Sequence, residues 1–337
     1  MTILKFVTLQ LHYCSLWMTF KLNVLIFGAT GFIGSKLSQA LSRRGNVVYI
    51  LSRSKPGNAL VINKLDSSGD IAKSKTNLKS YKFEGKDSLK MLNIGYFVHS
   101  ACGLLPSSES AEFFKEYMSL IEPTFSIIDS CSELKITFVY LSSAGAIYGD
   151  SSLPLSETSK LNPSTFYGFS KYIIEQYIKK KHDSGLDYLI LRPANVYGRN
   201  LNNVNDTQGL IENSIAAILR SIPIKKFGSN PKLRDFIFVD DFVKVMIILM
   251  DMNIINKTLN VGSGNLLQVD TVIQIIYQML NKVPDIKIAE DRFFDKDIID
   301  IDVSKISKLI PFKPMGIHQG LKKYLSQLGS IDLEGAD

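Results

Sequence analysis

A chain of 337 residues with 45% hydrophobic and 21% charged side chains has the make-up of a globular protein and room for one large or two small domains. Its net charge of +7 comes from Lys and Arg spread along the chain, which reads as a solvated basic surface and not a nucleic-acid footprint, and leaves attraction to phosphate-bearing small molecules open. The three cysteines (Cys14, Cys102, Cys131) and four histidines (His12, His99, His182, His318) lack disulfide-framework or metal-ligand spacing, so no metal is expected and a reduced cytoplasm suits them.

Residues 1–20, "MTILKFVTLQLHYCSLWMTF", are apolar, but Lys5 and His12 interrupt them and no small-residue cleavage site follows. They read as an irregular extension with Met18 as the natural beginning, not as a membrane span. From Lys21 the pattern is regular. "KLNVLIFG" is a buried strand, "GFIGSKLSQALSRRG" a helix closed by glycine, and "NVVYILS" a second strand. The polar stretch 53–80 reads as loop or weak helix. "YKF" and "IGYFVHSAC" are strands, and "AEFFKEYMSLIEPTFSIIDSCSEL" is a helix disturbed at Pro123. Then come the strand "KITFVYLSS", the helix "YGFSKYIIEQYIKKKHDSG" and the strand "LDYLILRPANVYG". Past residue 200 the alternation loosens into "LRDFIFVDDFVKVMIILM", "KTLNVGSG" and the helix "QVDTVIQIIYQMLNKV". The apolar run 242–250 is too short to cross a bilayer and reads as a buried helix.

Strand–helix alternation predicts an α/β fold: a Rossmann-type doubly wound parallel sheet over 21–200, with a smaller mixed lobe over 201–337 that can interleave with it. "FGATGFIG" spaces Gly28, Gly31 and Gly34 three apart between the first strand and first helix. Such a turn lets backbone approach a pyrophosphate, and the helix amino end offers unpaired N–H groups to it. Gly28, Thr30, Gly31, Phe32, Ile33 and Gly34 are therefore cofactor-binding candidates, with Ala101 at the end of "VHSAC". The second strand ends in Ser52-Arg53, where an acidic residue would hold the ribose hydroxyls of NAD. A small residue beside an arginine suits a 2′-phosphate, so the cofactor is NAD or NADP, NADP slightly favoured.

Tyr167 and Lys171 stand at i,i+4 and emerge on one helical face. A free tyrosine has a pKa of about 10. A nearby ammonium and an oxidised nicotinamide ring would favour the phenolate, which could take a proton from a sugar hydroxyl as hydride leaves the same carbon. Lys171 could also hold the nicotinamide ribose. Ser142 and Ser143, after the strand "KITFVYL", are candidates to position the substrate oxygen, Ser143 the better one.

Together "GATGFIG", "VHSAC", "LSSAGAIYGD", "YGFSK", "LRPANVYG", "RDFIFVDD", "NVGSG" and "DRFFDKDIIDIDVSKI", in this order from about Lys21 to Leu325, resemble the extended short-chain dehydrogenase/reductase family, in particular nucleotide-sugar epimerases of the UDP-glucose 4-epimerase type. The resemblance implies that Tyr167 and Lys171 are the catalytic pair, that Asn195 touches the sugar diphosphate, and that Arg234, Arg292 and Asp295 bind the nucleotide end. Three departures stand out. The epimerase pattern puts the active hydroxyl four residues before the tyrosine of "YG", which here is Ala144, with Ser143 one further away. The acidic residue after the second strand is missing, and 54–80 does not align. The 4,6-dehydratases of this family carry an Asp-Glu pair where this chain has Gly145 and Ala146, which argues against dehydration and against the decarboxylase branch. The resemblance thus implies a cytoplasmic nucleotide-sugar 4-epimerase; the alternative is an NADPH-dependent 4-keto-sugar reductase, and a non-enzymatic binding protein stands third. The expected partner is a nucleotide-diphosphate sugar, with no nucleic acid, and a homodimer is common in the family.

Overall fold

Apolar runs of four to seven residues alternate with amphipathic helices, and in this computed structural model they assemble around an eight-stranded sheet. The structure describes residues 21–53, 60–66, 81–149, 154–201 and 209–329; the extension 1–20 lies outside them.

The strands are β1 (Asn23–Phe27), β2 (Val47–Arg53), β3 (Leu60–Lys64), β4 (Tyr81–Lys82), β5 (Tyr96–His99), β6 (Thr137–Leu141) and β7 (Tyr188–Pro193). They continue as β8 (Asn195–Tyr197), β9 (Ile224–Phe227), β10 (Leu233–Phe238), β11 (Lys257–Val261), β12 (Leu266–Gln268), β13 (Ile286–Ala289) and β14 (Ile298–Ile299). The helices are α1 (Phe32–Arg43), α2 (Lys86–Met91), α3 (Ser110–Glu116), α4 (Glu122–Leu134), α5 (Ala144–Ile147) and α6 (Phe166–His182). After them come α7 (Leu210–Leu219), α8 (Val239–Asp251), α9 (Val269–Met279), α10 (Ser304–Leu309) and α11 (Ile317–Gly329).

The main sheet runs β11-β7-β6-β5-β1-β2-β3-β4. It is parallel from β11 to β2. The strand order reverses between β1 and β5, so the loops after these two strands open a crevice at the carboxyl edge, where ligands bind in open sheets of this kind. Both faces are covered, as a parallel sheet requires. Alternate residues of β1 show it: Val24 and Ile26 enter one core, Leu25 and Phe27 the other. A smaller sheet centred on β10 pairs it with β12, β14 and β8, and β9 pairs with β13.

One expectation changes, and two gain detail. Within the stretch read as loop or weak helix, Leu60–Lys64 is a strand antiparallel to β2, and β4 follows it antiparallel; "LVINK" is too short to declare its period. The helix is disturbed at Pro123, as expected, but not ended: a π-helical turn, Tyr117–Ile121, joins α3 to α4 just ahead of the proline, and α4 runs on to Leu134. The interleaving that the sequence left open takes this form: "KTLNV" is β11, the edge of the main sheet, so chain beyond residue 200 completes the first layer.

Candidate active site

The glycine turn has close neighbours on every side. Gly28 has φ +89°, and a Cβ there would lie 2.5 Å from the Ala101 nitrogen. A Cβ on Gly34 would lie 2.3 Å from the Gly28 carbonyl oxygen, and one on Gly31 3.2 Å from it. The turn therefore packs against the end of β5, and α1 packs against the turn, at distances only glycine allows. Thr30, Gly31, Phe32 and Ile33 line the adjoining cleft, beside the amino end of α1. This is a cradle that fits a dinucleotide pyrophosphate. Ala101 is not on the cleft wall; its backbone buttresses Gly28. Ser52, half-buried near the end of β2, does not line the cleft either. The side chain of Arg53 lies outside the described residues.

Tyr167 and Lys171 owe their positions to how α6 begins. Thr165 caps the helix, its Oγ1 accepting from the Gly168 N–H at 3.0 Å. Gly168 lets the first turn settle on α5, since a Cβ there would come within 2.3 Å of the Ala146 carbonyl oxygen. That close approach brings Tyr167 and Ser143 to the same cleft wall, where the Ser143 hydroxyl acts on the phenol. Ala144 is buried in the core, so the hydroxyl beside the phenol is one residue earlier than the epimerase spacing predicts. Ser142 also lines the cleft.

Lys171 is 4% exposed and donates from Nζ to the Leu141 carbonyl at 3.0 Å. The ammonium lies 5.3 Å from the Tyr140 ring centroid and 5.6 Å from that of Tyr167. Burial disfavours its charge, but Cys102, Tyr140, Tyr167 and Glu116 outweigh burial and hold its pKa above the ordinary lysine value. Burial pushes the Tyr167 phenol up, and Cys102 adds to this; Lys171 and the Ser143 hydroxyl pull it down without cancelling the rise. With the protein's own charges the phenol is a proton donor, and its acceptor form needs a further positive charge nearby.

The same cleft, about 1900 Å³, reaches Asn195, Arg234, Arg292 and Asp295. A pocket for one small ligand measures about 300–1,000 Å³, so this cleft is larger than one such ligand needs. Asn195 leaves β8 exposed, its side-chain amide donating to the Asp235 carbonyl at 3.0 Å. Arg234 is held by the carbonyls of Leu233 (2.9 Å) and Asp297 (3.0 Å). Burial lowers its pKa despite Asp295 and Asp297, which leaves a desolvated cation facing the cleft. Arg292 pairs with Asp295 (2.9 and 2.7 Å) and stacks 4.1 Å from the Phe227 ring centroid. Asp295 is thus committed to a cation of the protein. Gly145 and Ala146, at the positions where dehydratases carry acids, both face the cleft.

Sequence reasoning missed several contributors. Phe227 under Arg292, Lys296 on the Tyr148 carbonyl (2.7 Å) and Lys232 on Asp291 (2.6 Å) all join segments far apart in the chain, and no local pattern announces them. Gly168 had a signal, the glycine following Tyr167.

Comparison with known proteins gives a consistent picture. The family model described as NAD dependent epimerase/dehydratase family matches residues 24–262. A Methanocaldococcus jannaschii protein, provisionally named UDP-glucose 4-epimerase, is 27% identical over 90% of this chain and 97% of its own. The Escherichia coli dTDP-4-dehydro-6-deoxyglucose reductase is 25% identical over 91% of this chain and 98% of its own. Among solved structures, the UDP-N-acetylglucosamine 4-epimerase of Methanobrevibacter ruminantium M1, in complex with UDP-N-acetylmuramic acid, superposes with a TM-score of 0.75 at 26% identity, covering 91% and 99% of the two chains.

Proposed function

The chain belongs to the NAD dependent epimerase/dehydratase family of enzymes, and on that premise we propose that it is a nucleotide-sugar 4-epimerase. The observation that carries the reading is the convergence of the Tyr167 phenol, the Ser143 hydroxyl and the Lys171 ammonium in one cleft with Asn195, Arg234 and Arg292. The absence of acid or base side chains at Gly145 and Ala146 sets dehydration aside.

The cradle of Gly28, Thr30, Gly31, Phe32, Ile33 and Gly34 would hold the nicotinamide dinucleotide, whose chemistry when bound is reversible hydride transfer at a sugar carbon. The family description favours NAD, while Ser52-Arg53 leaves room for a 2′-phosphate. In this mechanism Ser143 orients the sugar 4-hydroxyl and Tyr167 moves its proton. Lys171 supplies one of the positive charges that favour the phenolate, and an oxidised nicotinamide ring would supply the further one. Arg234 and Arg292 bind the diphosphate and nucleotide end by charge-assisted hydrogen bonds, which leaves the sugar free to turn over and present its other face. The second reading, an NADPH-dependent 4-keto-sugar reductase, is favoured by Ser52-Arg53 and by the Escherichia coli relative; there Tyr167 is the proton donor.

The purified protein, loaded with NAD or NADP in parallel, should convert UDP-glucose or UDP-N-acetylglucosamine to the 4-epimer with no added reductant and no net change in cofactor oxidation. Tyr167→Phe should lower turnover by about 10²–10⁴ and leave cofactor binding within a few-fold. Activity confined to NADPH plus a 4-keto sugar would overturn the epimerase reading in favour of the reductase.

A further inference from the structure

Glu116 is the last residue of α3 and is 7% exposed. Its Oε1 accepts from the Gly103 N–H at 2.5 Å. Gly103 belongs to the irregular segment after β5, and the run Cys102–Pro106 lines the cleft. A Cβ on Gly103 would come within 2.7 Å of Glu116 Oε2, so the carboxylate and the bare Cα fit one another. Among the described residues no cation stands within ion-pair distance of this carboxylate. Burying a polar group is costly unless it is hydrogen-bonded, and the Gly103 N–H supplies that bond here. The π-helical turn begins at the next residue, Tyr117. Such turns insert a residue into a helix and cluster at functional sites, because they re-aim the side chains on one side of the insertion. Here the turn joins α3, which ends at Glu116, to α4. The segment that Glu116 holds is next to the chemistry: Cys102, Gly103, Leu104 and Leu105 line the same cleft as Tyr167 and Lys171.

We propose that Glu116 is a positioning residue that clamps the Gly103 amide and thereby fixes the Cys102–Leu105 wall of the cleft against the Tyr167–Lys171 pair. The consequence for turnover rests on the proposed function; the clamp itself does not. Two readouts separate them. The first is the rate at which an excess of a thiol reagent labels Cys102, followed by peptide mass spectrometry, which reports wall position without any substrate. The second is kcat and KM for UDP-glucose in the NAD-loaded enzyme.

Cys102 is exposed in the wild type, so its labelling reports how the wall is held: Glu116→Ala should change the Cys102 labelling rate at least fivefold and lower kcat at least tenfold, with KM changed less than threefold. Glu116→Gln keeps an acceptor oxygen and should stay within twofold of wild type in labelling. Gly103→Ala should be defective in an otherwise wild-type chain and have no further effect on top of Glu116→Ala, because the atom it meets is gone. Glu116→Ser, which removes the same oxygen, repeats the cycle if the alanine variant does not fold. Labelling unchanged in Glu116→Ala, or effects of Gly103→Ala and Glu116→Ala that simply add, overturns the proposal. Altered labelling in a protein that turns over no nucleotide sugar upholds the clamp and instead refutes the epimerase reading.

Discussion

His99 ends β5 with its ring buried among Phe27, Phe138 and Tyr140. The Thr124 hydroxyl donates to the Leu120 carbonyl at 2.6 Å, so the 2.9 Å contact between His99 Nε2 and Thr124 Oγ1 has the imidazole as donor, which sets its neutral tautomer. Burial first, and the Lys171 charge second, lower its pKa from 6.5 to about 3. In the unfolded chain the same imidazole takes up a proton below about pH 6.5. The unfolded state therefore binds more protons between about pH 6.5 and 3, and stability falls as pH falls through that window, by up to about 1.4 kcal/mol per pH unit. Urea denaturation of wild type and His99→Gln at pH 7, 6, 5 and 4 should show the wild type losing stability more steeply; parallel curves would contradict it. The same residue scale explains Ser143. Counting back from "YG" selects Ala144, yet a short helix turns that side chain into the core and leaves the preceding serine on the phenol.

α6 carries the catalytic candidates at one end and a buried ion pair further along. Glu175 accepts from Arg192 Nε at 2.9 Å and Nη2 at 2.6 Å, with both side chains at 0% exposure. Arg192 Nη1 donates to the Tyr148 hydroxyl at 2.7 Å, and Tyr148 donates to Asn260 Oδ1 at 2.6 Å. One network thus ties α6 to β7, to the segment after α5 and to β11. Removing one partner of a buried pair strands the other charge, at a cost of about 3–5 kcal/mol, while replacing both with apolar side chains is often nearly neutral. Glu175→Met and Arg192→Met should each lose stability of that order, and the double variant should lose less than the sum in a chemical-denaturation cycle. Additive losses would show that the pair is not the unit. At this scale the sequence was readable where period and punctuation agree, as in β1, α1, α6 and α9. It was not readable at β3, whose identity comes from pairing with β2.

The whole molecule carries a net charge of +7, and Arg234 and Arg292 face a cleft about 1900 Å³ in volume. A dianionic nucleotide-diphosphate sugar should be drawn to it, and that attraction is screened as the Debye length shrinks from about 10 Å at 0.1 M salt to about 3 Å at 1 M. KM for UDP-glucose should therefore rise severalfold between 0.02 and 0.5 M NaCl with kcat little changed; a flat KM would remove the electrostatic role given to the arginines. Among the described residues no helix is long and apolar enough to cross a membrane. What the sequence by itself determined is local: a glycine turn between a strand and a helix, a tyrosine and lysine one helical turn apart, and an alternation that demands a parallel sheet. These are legible because each is set by φ/ψ freedom or by a period of two or 3.6 residues, and both are written in neighbouring letters. Only the tertiary structure decided that β11 closes the first sheet, that Ser143 and not Ala144 meets Tyr167, that Asp295 is spent on Arg292, and that Glu116 holds Gly103. Those outcomes depend on which distant backbones approach within a few ångströms, and close packing, not local preference, makes that choice.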